Sequence, residues 1–388
     1  MTPELILPVS HYAERVERLR RSLAAMSADV AMITLPASQY WLTGYDTFLG
    51  AQIPQAIILT PGNDEPTLVV WDADVAIARG TSVLQDIRTF RYGVDQPAEL
   101  MANVARHKAP DARRVALELS ASAMTFSFVR AFEAAFGSAE LVDVGPALGR
   151  MRVVKSAAEI SLMRAAGAHA RAGLAAAHRH AQPGITEIEL AGEIEYAMRR
   201  SGSDYYSIPT ELTSGPRTVF GHGTPTARML AAGDIMHVEI GGVERRYNCV
   251  GVQTFAVPGA KPPEAALRLY DVALRCLRAG LERLGPGIPA PDVEAPALDV
   301  LRGEGLGDVF KMRFGYGVGI GYPPSWLEPL QITRASADIL ERGMTFVMHV
   351  CLIDEATSTG VLVGGTYAIT DGGHELLSGA GDVEIKSD

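Results

Sequence analysis

A histidine between two glycines, His222, is the first residue in this sequence whose surroundings favour chemistry. It lies in the run Phe220–Pro225, where the flanking glycines would let a substrate approach closely and leave the imidazole accessible for proton transfer. An exposed loop histidine without a catalytic role would show the same pattern. The spacing therefore makes His222 a candidate general acid or base and leaves the other interpretation open.

A second candidate is the carboxylate of Glu239 in the run His237-Val238-Glu239-Ile240. In a strand, alternation places His237 and Glu239 on the same face. A carboxylate among Met, Val and Ile is costly to bury without a partner. Glu239 is thus either a functional residue or a glutamate at the rim of a half-exposed sheet.

The densest group of polar and aromatic residues runs from Arg313 to Glu328 and contains four alternating glycines. No Lys-Ser/Thr follows these glycines, and no strand–loop–helix pattern surrounds them, which argues against a phosphate loop. Tyr316, Tyr322 and Trp326 beside a Pro-Pro pair favour the walls of a small-molecule pocket over a purely structural loop.

His349 is the last candidate and lies in an apolar strand pattern, where a lone histidine is more often a core residue than a ligand. The sequence contains no HExxH motif and no cluster of paired carboxylates. These residue types favour acid–base or nucleophilic chemistry on a small organic molecule over metal-assisted hydrolysis.

Composition excludes several other classes of function. The chain has 388 residues, 47% of them hydrophobic, with 35 Lys and Arg against 45 Asp and Glu, a formal net charge of −10. No basic patch for phosphate contacts is visible, so we expect no nucleic-acid partner, and no apolar stretch approaches the ~20 residues needed to cross a bilayer. The three cysteines show no CxxC, and the first residues show no signal-peptide pattern, so we expect a reducing, cytoplasmic location.

Hydrophobic periodicity in the first half alternates between strand and helix, which predicts an α/β domain over about residues 1–150. Helices are expected over 12–27 and 121–136, and buried strands over 30–35, 55–60, 67–71 and 114–119.

The second half, about residues 151–388, is expected to be an α+β domain. Two capping boxes, Ser156 with Glu159 and Thr186 with Glu189, predict helices over 156–181 and 186–201 on either side of a Pro-Gly break. The periodicity further predicts strands over 234–240, 246–257, 345–353 and 361–370, helices over 262–285 and 290–304, and turns or bulges at glycines 241, 242, 364 and 365.

Over nearly its full length the chain resembles the pita-bread family that includes creatinase, aminopeptidase P, prolidase and ectoine hydrolase. The resemblance rests on RVERLRRSL, DVAMIT and YWLTGYD in the first half, and on VVKSAAEISLMRAA, QPGITEIELA and the run from SGPRT through HGTPTAR to AAGD in the second. It implies a creatinase-like architecture with an α/β N-terminal domain and an α+β pita-bread catalytic domain. It also implies a homodimer, in which the segment from Tyr45 to Gln55 caps the partner's pocket.

The metallopeptidases of this family use five metal ligands (two Asp, one His and two Glu), and the resemblance places other residues at all five positions. They are occupied here by Glu239, Val250, Tyr316, His349 and Gly365. Because valine and glycine offer no donor atoms, a two-metal peptidase is disfavoured and no metal or cofactor is expected. The positions with which creatinases hold a guanidinium carry Val252 and His349, which disfavours creatine as the substrate.

The metal-free ectoine hydrolase-like branch resembles this chain better. The likeness includes the pattern GYxxGIGYPPxWxE from Gly315 to Glu328 and the run Arg245-Arg246-Tyr247 after Glu239. It departs at Ser325 and Leu327, and in having Leu362 and Gly365 where glutamates are expected, so the substrate need not be ectoine itself.

The sequence thus favours a metal-independent hydrolase that opens a C–N bond of a small cyclic amidine or amide. The resemblance implies that Glu239 attacks the ring carbon or activates water, that His222 shuttles the proton and that His349 assists. Substrate-binding residues would be Tyr316, Tyr322, Trp326, Glu328, Tyr45, Gln55 and Tyr247. Three alternatives stay open: a cyclase or lyase on a small amine, a creatinase-like or Xaa-Pro dipeptidase-like enzyme, and an inactive ligand-binding protein.

Overall fold

The structure, a computed structural model, describes residues 3–378. The chain divides between Arg152 and Val153 into two compact units, each with its own sheet and core. No helix in the described range combines the length and apolar content needed to cross a membrane.

The N-terminal unit contains a mixed six-stranded sheet in the order β4-β3-β2-β1-β5-β6. Its core is formed by apolar side chains of β1, β2 and β5 with those of α4 and α5. Its strands are β1 (Val30–Ile33), β2 (Ala56–Leu59), β3 (Thr67–Trp71), β4 (Ile87–Phe90), β5 (Arg114–Leu117) and β6 (Glu140–Asp143). Its helices are α1 (Val9–Ala25), α2 (Pro36–Thr43), α3 (Val75–Thr81), α4 (Pro97–Lys108) and α5 (Phe126–Phe136), and α6 (Gly145–Val153) spans the boundary.

The C-terminal unit is an antiparallel sheet in the order β11-β10-β12-β13-β9-β8-β7, with β14 paired to β13. Its strands are β7 (Glu211–Ser214), β8 (Ile235–Glu244), β9 (Tyr247–Ala256), β10 (Gly315–Tyr322), β11 (Ser325–Ile332), β12 (Thr345–Asp354), β13 (Thr359–Thr370) and β14 (Gly373–Leu376). Its helices are α7 (Ala157–His180), α8 (Glu187–Arg200), α9 (Glu264–Leu281) and α10 (Ala290–Gly303). Both predicted capping boxes are present, at the starts of α7 and α8.

Helices cover one face of this sheet and leave side chains on the other face to form a site. Helix α7 packs against β8 and β9, and α9 packs against β12 and β13. Ile240, Met348 and Val350 point toward the helices and belong to the two cores. Because strand residues alternate between faces, Glu239 and His349 point to the opposite side.

The glycine-rich run that the sequence left without a regular element forms the hairpin of β10 and β11. Its four glycines occupy one face of β10, and Tyr316 and Val318 occupy the other. A Cβ on Gly319 would lie 2.5 Å from a carboxylate oxygen of Glu328, so the missing side chain makes room for that residue.

The turns or bulges predicted at glycines 241, 242, 364 and 365 are wrong, since all four glycines lie within β8 and β13, and the pairing of β8 with β9 and of β13 with β12 continues through them without a shift in register. Close packing explains two of them. A Cβ on Gly241 would lie 2.8 Å from the ring of Trp326, and one on Gly242 would lie 2.1 Å from the backbone of α7.

Candidate active site

A cavity of about 370 Å³ lies within the C-terminal unit and gathers polar groups from five strands and two loops. Its size suits a small organic molecule. It is lined by Ile208, Glu211, His222, Glu239, Met312, Arg313, Tyr316, Trp326, Leu327 and His349. All three residues predicted to be catalytic therefore line one cavity, together with two of the predicted aromatic walls.

Glu239 on β8 is the buried acid of this cavity. Its Oε1 accepts a hydrogen bond from the Tyr316 hydroxyl at 2.8 Å, and the Trp326 indole nitrogen donates to the same hydroxyl at 3.3 Å. Burial raises the pKa of Glu239, while the Tyr316 hydrogen bond and the nearby Arg313 charge oppose that rise. The carboxylate is thus desolvated but stabilised by one donor and one cation.

A second acid, Glu211, lies directly opposite Glu239 across the β7–β8 ladder. Burial and the charge of Glu239 raise the pKa of Glu211 from 4.5 to about 8. The sequence-based statement that the chain has no paired carboxylates is therefore wrong. Glu211 was missed because a four-residue strand gives little periodic signal, and only the strand register brings the two acids together.

His349 on β12 contributes a neutral imidazole. Its burial, together with the charges of Arg313 and His222, lowers its pKa from 6.5 to about 3. Within the described residues neither ring nitrogen has a hydrogen-bond partner, although the side chain is only 2% exposed. The Tyr316 ring contacts it edge-on, with centroids 5.4 Å apart. Both nitrogens are thus left for a molecule in the cavity.

Two further cavity residues differ in their exposure and contacts. His222 is exposed at the turn after a short 3₁₀ segment, so it combines access to solvent with access to the cavity. The guanidinium of Arg313 lies 4.6 Å from the centroid of the Tyr316 ring and donates to the Gln331 side chain at 3.2 Å. No role for Arg313 could be predicted from the sequence, because nothing in its neighbours along the chain showed that it would stack on an aromatic ring of the cavity.

Three residues predicted to bind substrate lie outside the cavity lining. Glu328 pairs with Lys155 in a buried ion pair, on the glycine side of β10 opposite to Tyr316. The Tyr247 hydroxyl donates to Glu159 at 2.8 Å. Tyr322 is buried, with the Arg246 guanidinium 5.9 Å from its ring centroid.

These contacts give Glu328, Tyr247 and Tyr322 partners within the fold, and their predicted roles in substrate binding stay predictions. Facing within the sheet, which the sequence does not show, places Glu328 on the glycine side of β10 and directs Tyr247 toward Glu159 of α7. Glu328 in particular already pairs with a cation, so binding a substrate ammonium or amidinium group would require this ion pair to open.

Tyr45 and Gln55 are fully buried inside the N-terminal unit. The Tyr45 hydroxyl donates to the Gln55 side chain, whose amide nitrogen donates to Asp74 at 2.8 Å. A substrate contact from either residue would require this network to open, and their proposed role in binding stays a prediction.

The donor set of the cavity does not fit the two metal ions that the family resemblance suggests. Among residues 3–378, no group of three or more His, Cys, Asp or Glu side chains is arranged to hold an ion. The strand register also shows that Gly364, rather than Gly365, lies opposite His349 and beside Val252. Neither glycine has a donor atom, so this position offers no metal ligand whichever of the two occupies it.

A mixed-sheet N-terminal unit followed by an antiparallel pita-bread unit with an acid-lined cavity defines the class of two-domain creatinase- and prolidase-type proteins. Residues 15–154 match the creatinase/prolidase N-terminal domain, and residues 161–376 match metallopeptidase family M24. The chain belongs to metallopeptidase family M24.

Individual relatives match along almost the whole chain. An uncharacterized hydrolase/peptidase of Sinorhizobium fredii is 26% identical over 95% of both chains. An Xaa-Pro dipeptidase of Pyrococcus furiosus is 24% identical over 94% of this chain and 97% of its own. The crystal structure of the prolidase from Pyrococcus horikoshii superposes with a TM-score of 0.84 at 21% identity, covering 97% of this chain and all of that one.

Proposed function

We propose that this member of the M24 family is a metal-independent hydrolase that opens a C–N bond in a small cyclic amidine or amide, with ectoine-like rings as the first candidates. The proposal rests on one observation: the cavity has a buried carboxylate, Glu239, held by Tyr316 and Arg313, and among residues 3–378 no group of side chains is arranged to hold a metal ion. The hydrolase and peptidase names of the relatives support hydrolytic chemistry in general.

Glu239 is suited to act as a general base on water. A carboxylate with a raised pKa is a stronger base than one in water, and it accepts a proton most effectively near neutral pH. As the oxygen of a water molecule bonds to the ring carbon, that water would lose a proton to Glu239. The C–N bond then breaks, and the departing nitrogen takes up a proton. For a cyclic amidine the net change is addition of one water, which yields an amide and a free amine.

The two histidines have different proposed roles, because His222 is exposed to solvent and His349 is buried. His222 lies at the solvent-exposed side of the cavity and can carry the proton to the departing nitrogen. His349 is neutral, because burial holds its pKa near 3, so it serves as a hydrogen-bonding group that orients the substrate.

Aromatic rings favour a ring with delocalised positive charge. Tyr316 and Trp326 line the cavity, and a planar cation over their faces gains attraction from the ring quadrupole. The same walls would hold a neutral amide more weakly. This difference in attraction to the aromatic walls favours cyclic amidines over cyclic amides as substrates.

The decisive experiment incubates ectoine and hydroxyectoine with the purified protein in excess EDTA and follows the products by mass spectrometry. Ring-opened N-acetyl-diaminobutyrate formed under these conditions would support both the reaction and its independence from metal. Ring closure of the acyclic compound in the reverse assay would instead favour a cyclase. Turnover of an Xaa-Pro dipeptide that EDTA abolishes would contradict the proposal and favour a peptidase.

A further inference from the structure

The pairing of Glu211 with Glu239 needs a physical explanation, because like charges directly opposite each other destabilise a sheet. The two residues are register partners on β7 and β8, so their side chains lie on the same face, and both line the cavity. Directly opposite Cβ atoms in a ladder are about 4.5–5.5 Å apart. The side chains of two acids therefore lie beside each other in the lining of a small cavity.

Glu239 and Glu211 differ in the hydrogen-bond donors and charges that surround them. Glu239 receives the Tyr316 hydroxyl and the charge of Arg313. Glu211 receives neither, and within the described part of the chain its buried Oε2 has no hydrogen-bond partner. A buried acceptor without a partner costs about 1–3 kcal/mol. The protein thus keeps, in a residue that lines the cavity, a buried oxygen that is left for a bound molecule.

The other titratable groups around the pair leave room for a cation. Arg313 is engaged by the Tyr316 ring and by Gln331, and His349 is neutral. The Cys351 thiol, buried on the same face of β12, has its pKa raised to about 12 and carries no charge. His222 is at the exposed side. Glu211 and Glu239 are therefore the two acids that line the cavity, and a cation bound beside them would favour the charged form of both.

We propose that Glu211 is the second half of a cation-binding pair, and that Glu211 and Glu239 together hold the amidinium group of a cyclic substrate. This inference rests on the proposed function and specifies its substrate class. In a cyclic amidinium the two N–H bonds diverge from the N–C–N carbon, so a single carboxylate cannot accept both. Two carboxylates on neighbouring strands can accept one each, as charge-assisted hydrogen bonds.

Such binding also serves the reaction. An amidine that stays protonated has a more electrophilic carbon, and its attack by water neutralises positive charge beside the carboxylates. Glu239 accepts the Tyr316 hydrogen bond and would lie next to this carbon, whereas the Oε2 of Glu211 has no partner among the described residues and is left for the cation. Glu211 therefore selects the charge of the substrate, and Glu239 carries out the proton transfer.

The test compares binding of two probes that share ring size but differ in charge: the cationic 2-methyl-1,4,5,6-tetrahydropyrimidine and the neutral lactam δ-valerolactam. Calorimetry measures both on the parent protein, on Glu211→Gln and on the control Glu355→Gln, whose carboxylate is exposed in the β12–β13 turn. We expect Glu211→Gln to weaken binding of the amidinium about tenfold or more, as for loss of a charge-assisted hydrogen bond. Lactam binding should stay within about twofold in both variants.

An unchanged amidinium affinity in Glu211→Gln would overturn the proposal, and so would an equal loss for both probes, since that would mean that Glu211 only shapes the cavity. The melting temperature of each variant checks that it is folded. Ectoine turnover is measured separately. Turnover that does not depend on Glu211 would contradict this inference alone, whereas Glu211-dependent binding of the amidinium without turnover would contradict the proposed hydrolysis alone.

Discussion

Glu239 is the residue on which the proposed chemistry depends, because no other described carboxylate combines burial with the Tyr316 hydrogen bond. Replacing it by glutamine keeps the shape and removes the base. We expect Glu239→Gln to lower kcat on the ring-opening substrate by about 10²–10⁴-fold, the usual contribution of a positioned base. The circular dichroism spectrum and melting temperature should stay close to those of the parent. Activity retained in a folded Glu239→Gln protein would remove Glu239 from the mechanism.

Tyr316 tunes Glu239 through its hydroxyl. The phenylalanine variant keeps the ring against His349 and Arg313 and removes only the 2.8 Å hydrogen bond. Because that bond stabilises the carboxylate, its loss should raise the pKa of Glu239 further. The acid limb of the pH–rate profile should then move to higher pH, and kcat at neutral pH should fall about tenfold. A lower rate with an unmoved profile would show that Tyr316 acts only as a wall.

The raised pKa of Glu211 predicts how the stability of the fold changes with pH. Its pKa is 4.5 when exposed in the unfolded chain and about 8 in the folded protein, so the folded state binds its proton more tightly. The parent should therefore lose stability as pH rises from about 4.5 through about 8, where this proton is released into a buried site.

Glu211→Gln is neutral at all pH values and should lack this loss. Its melting temperature relative to the parent should increase between about pH 5 and about pH 9, whereas Glu355→Gln should follow the parent. Parallel melting curves for the parent and Glu211→Gln at both pH values would mean that Glu211 is ionised in the folded state like an ordinary surface acid.

Among the secondary-structure elements, β8 and β11 form the site by packing closely at a glycine. Trp326 of β11 packs directly on Gly241 of β8, where a Cβ would lie 2.8 Å from the indole ring. The indole in turn donates to Tyr316. The glycine therefore sets the position of an aromatic wall and, through it, of the hydroxyl that supports Glu239.

Gly241→Ala should displace the indole and cost about 1–3 kcal/mol of stability by overpacking. Substrate binding should weaken as well, since the wall moves. Gly192→Ala is the matched control: Gly192 lies in α8 with no atom near its absent Cβ, and alanine there should stabilise by about 0.5–1 kcal/mol. Equal stability and KM in Gly241→Ala and the parent would contradict this account of the hairpin.

At the scale of the whole molecule, belonging to a metallopeptidase family leads one to expect stabilisation by bound metal. A ligand that binds only the folded state raises its melting temperature. Because the described residues lack a metal-binding cluster, we expect the melting temperature to change little with EDTA or with added Mn²⁺ or Zn²⁺. Elemental analysis should find less than one metal ion for each chain of 41.4 kDa. A clear rise in melting temperature with saturating metal would contradict metal independence.

Local patterns in the sequence determined much of the fold. The capping residues Ser156 and Thr186 marked the starts of α7 and α8, and continuous apolar runs marked β1, β2 and β12 within a few residues. These features depend on neighbours along the chain, so they are visible in one dimension. Short elements such as β7 and the glycine-rich β10 were missed, because four residues or alternating glycines give almost no hydrophobic period.

The residue types available for chemistry could also be identified from the amino-acid order, and motif resemblance indicated Glu239, His222 and His349, which line one cavity. Which residues contact them depends on the folded chain. Strand register places Glu211 opposite Glu239. Face alternation in the β10–β11 hairpin directs Tyr316 into the cavity, whereas Glu328 lies on the opposite face and pairs with Lys155. Register and facing depend on hydrogen bonds between segments far apart in the chain, and a shift of one residue would exchange the two faces.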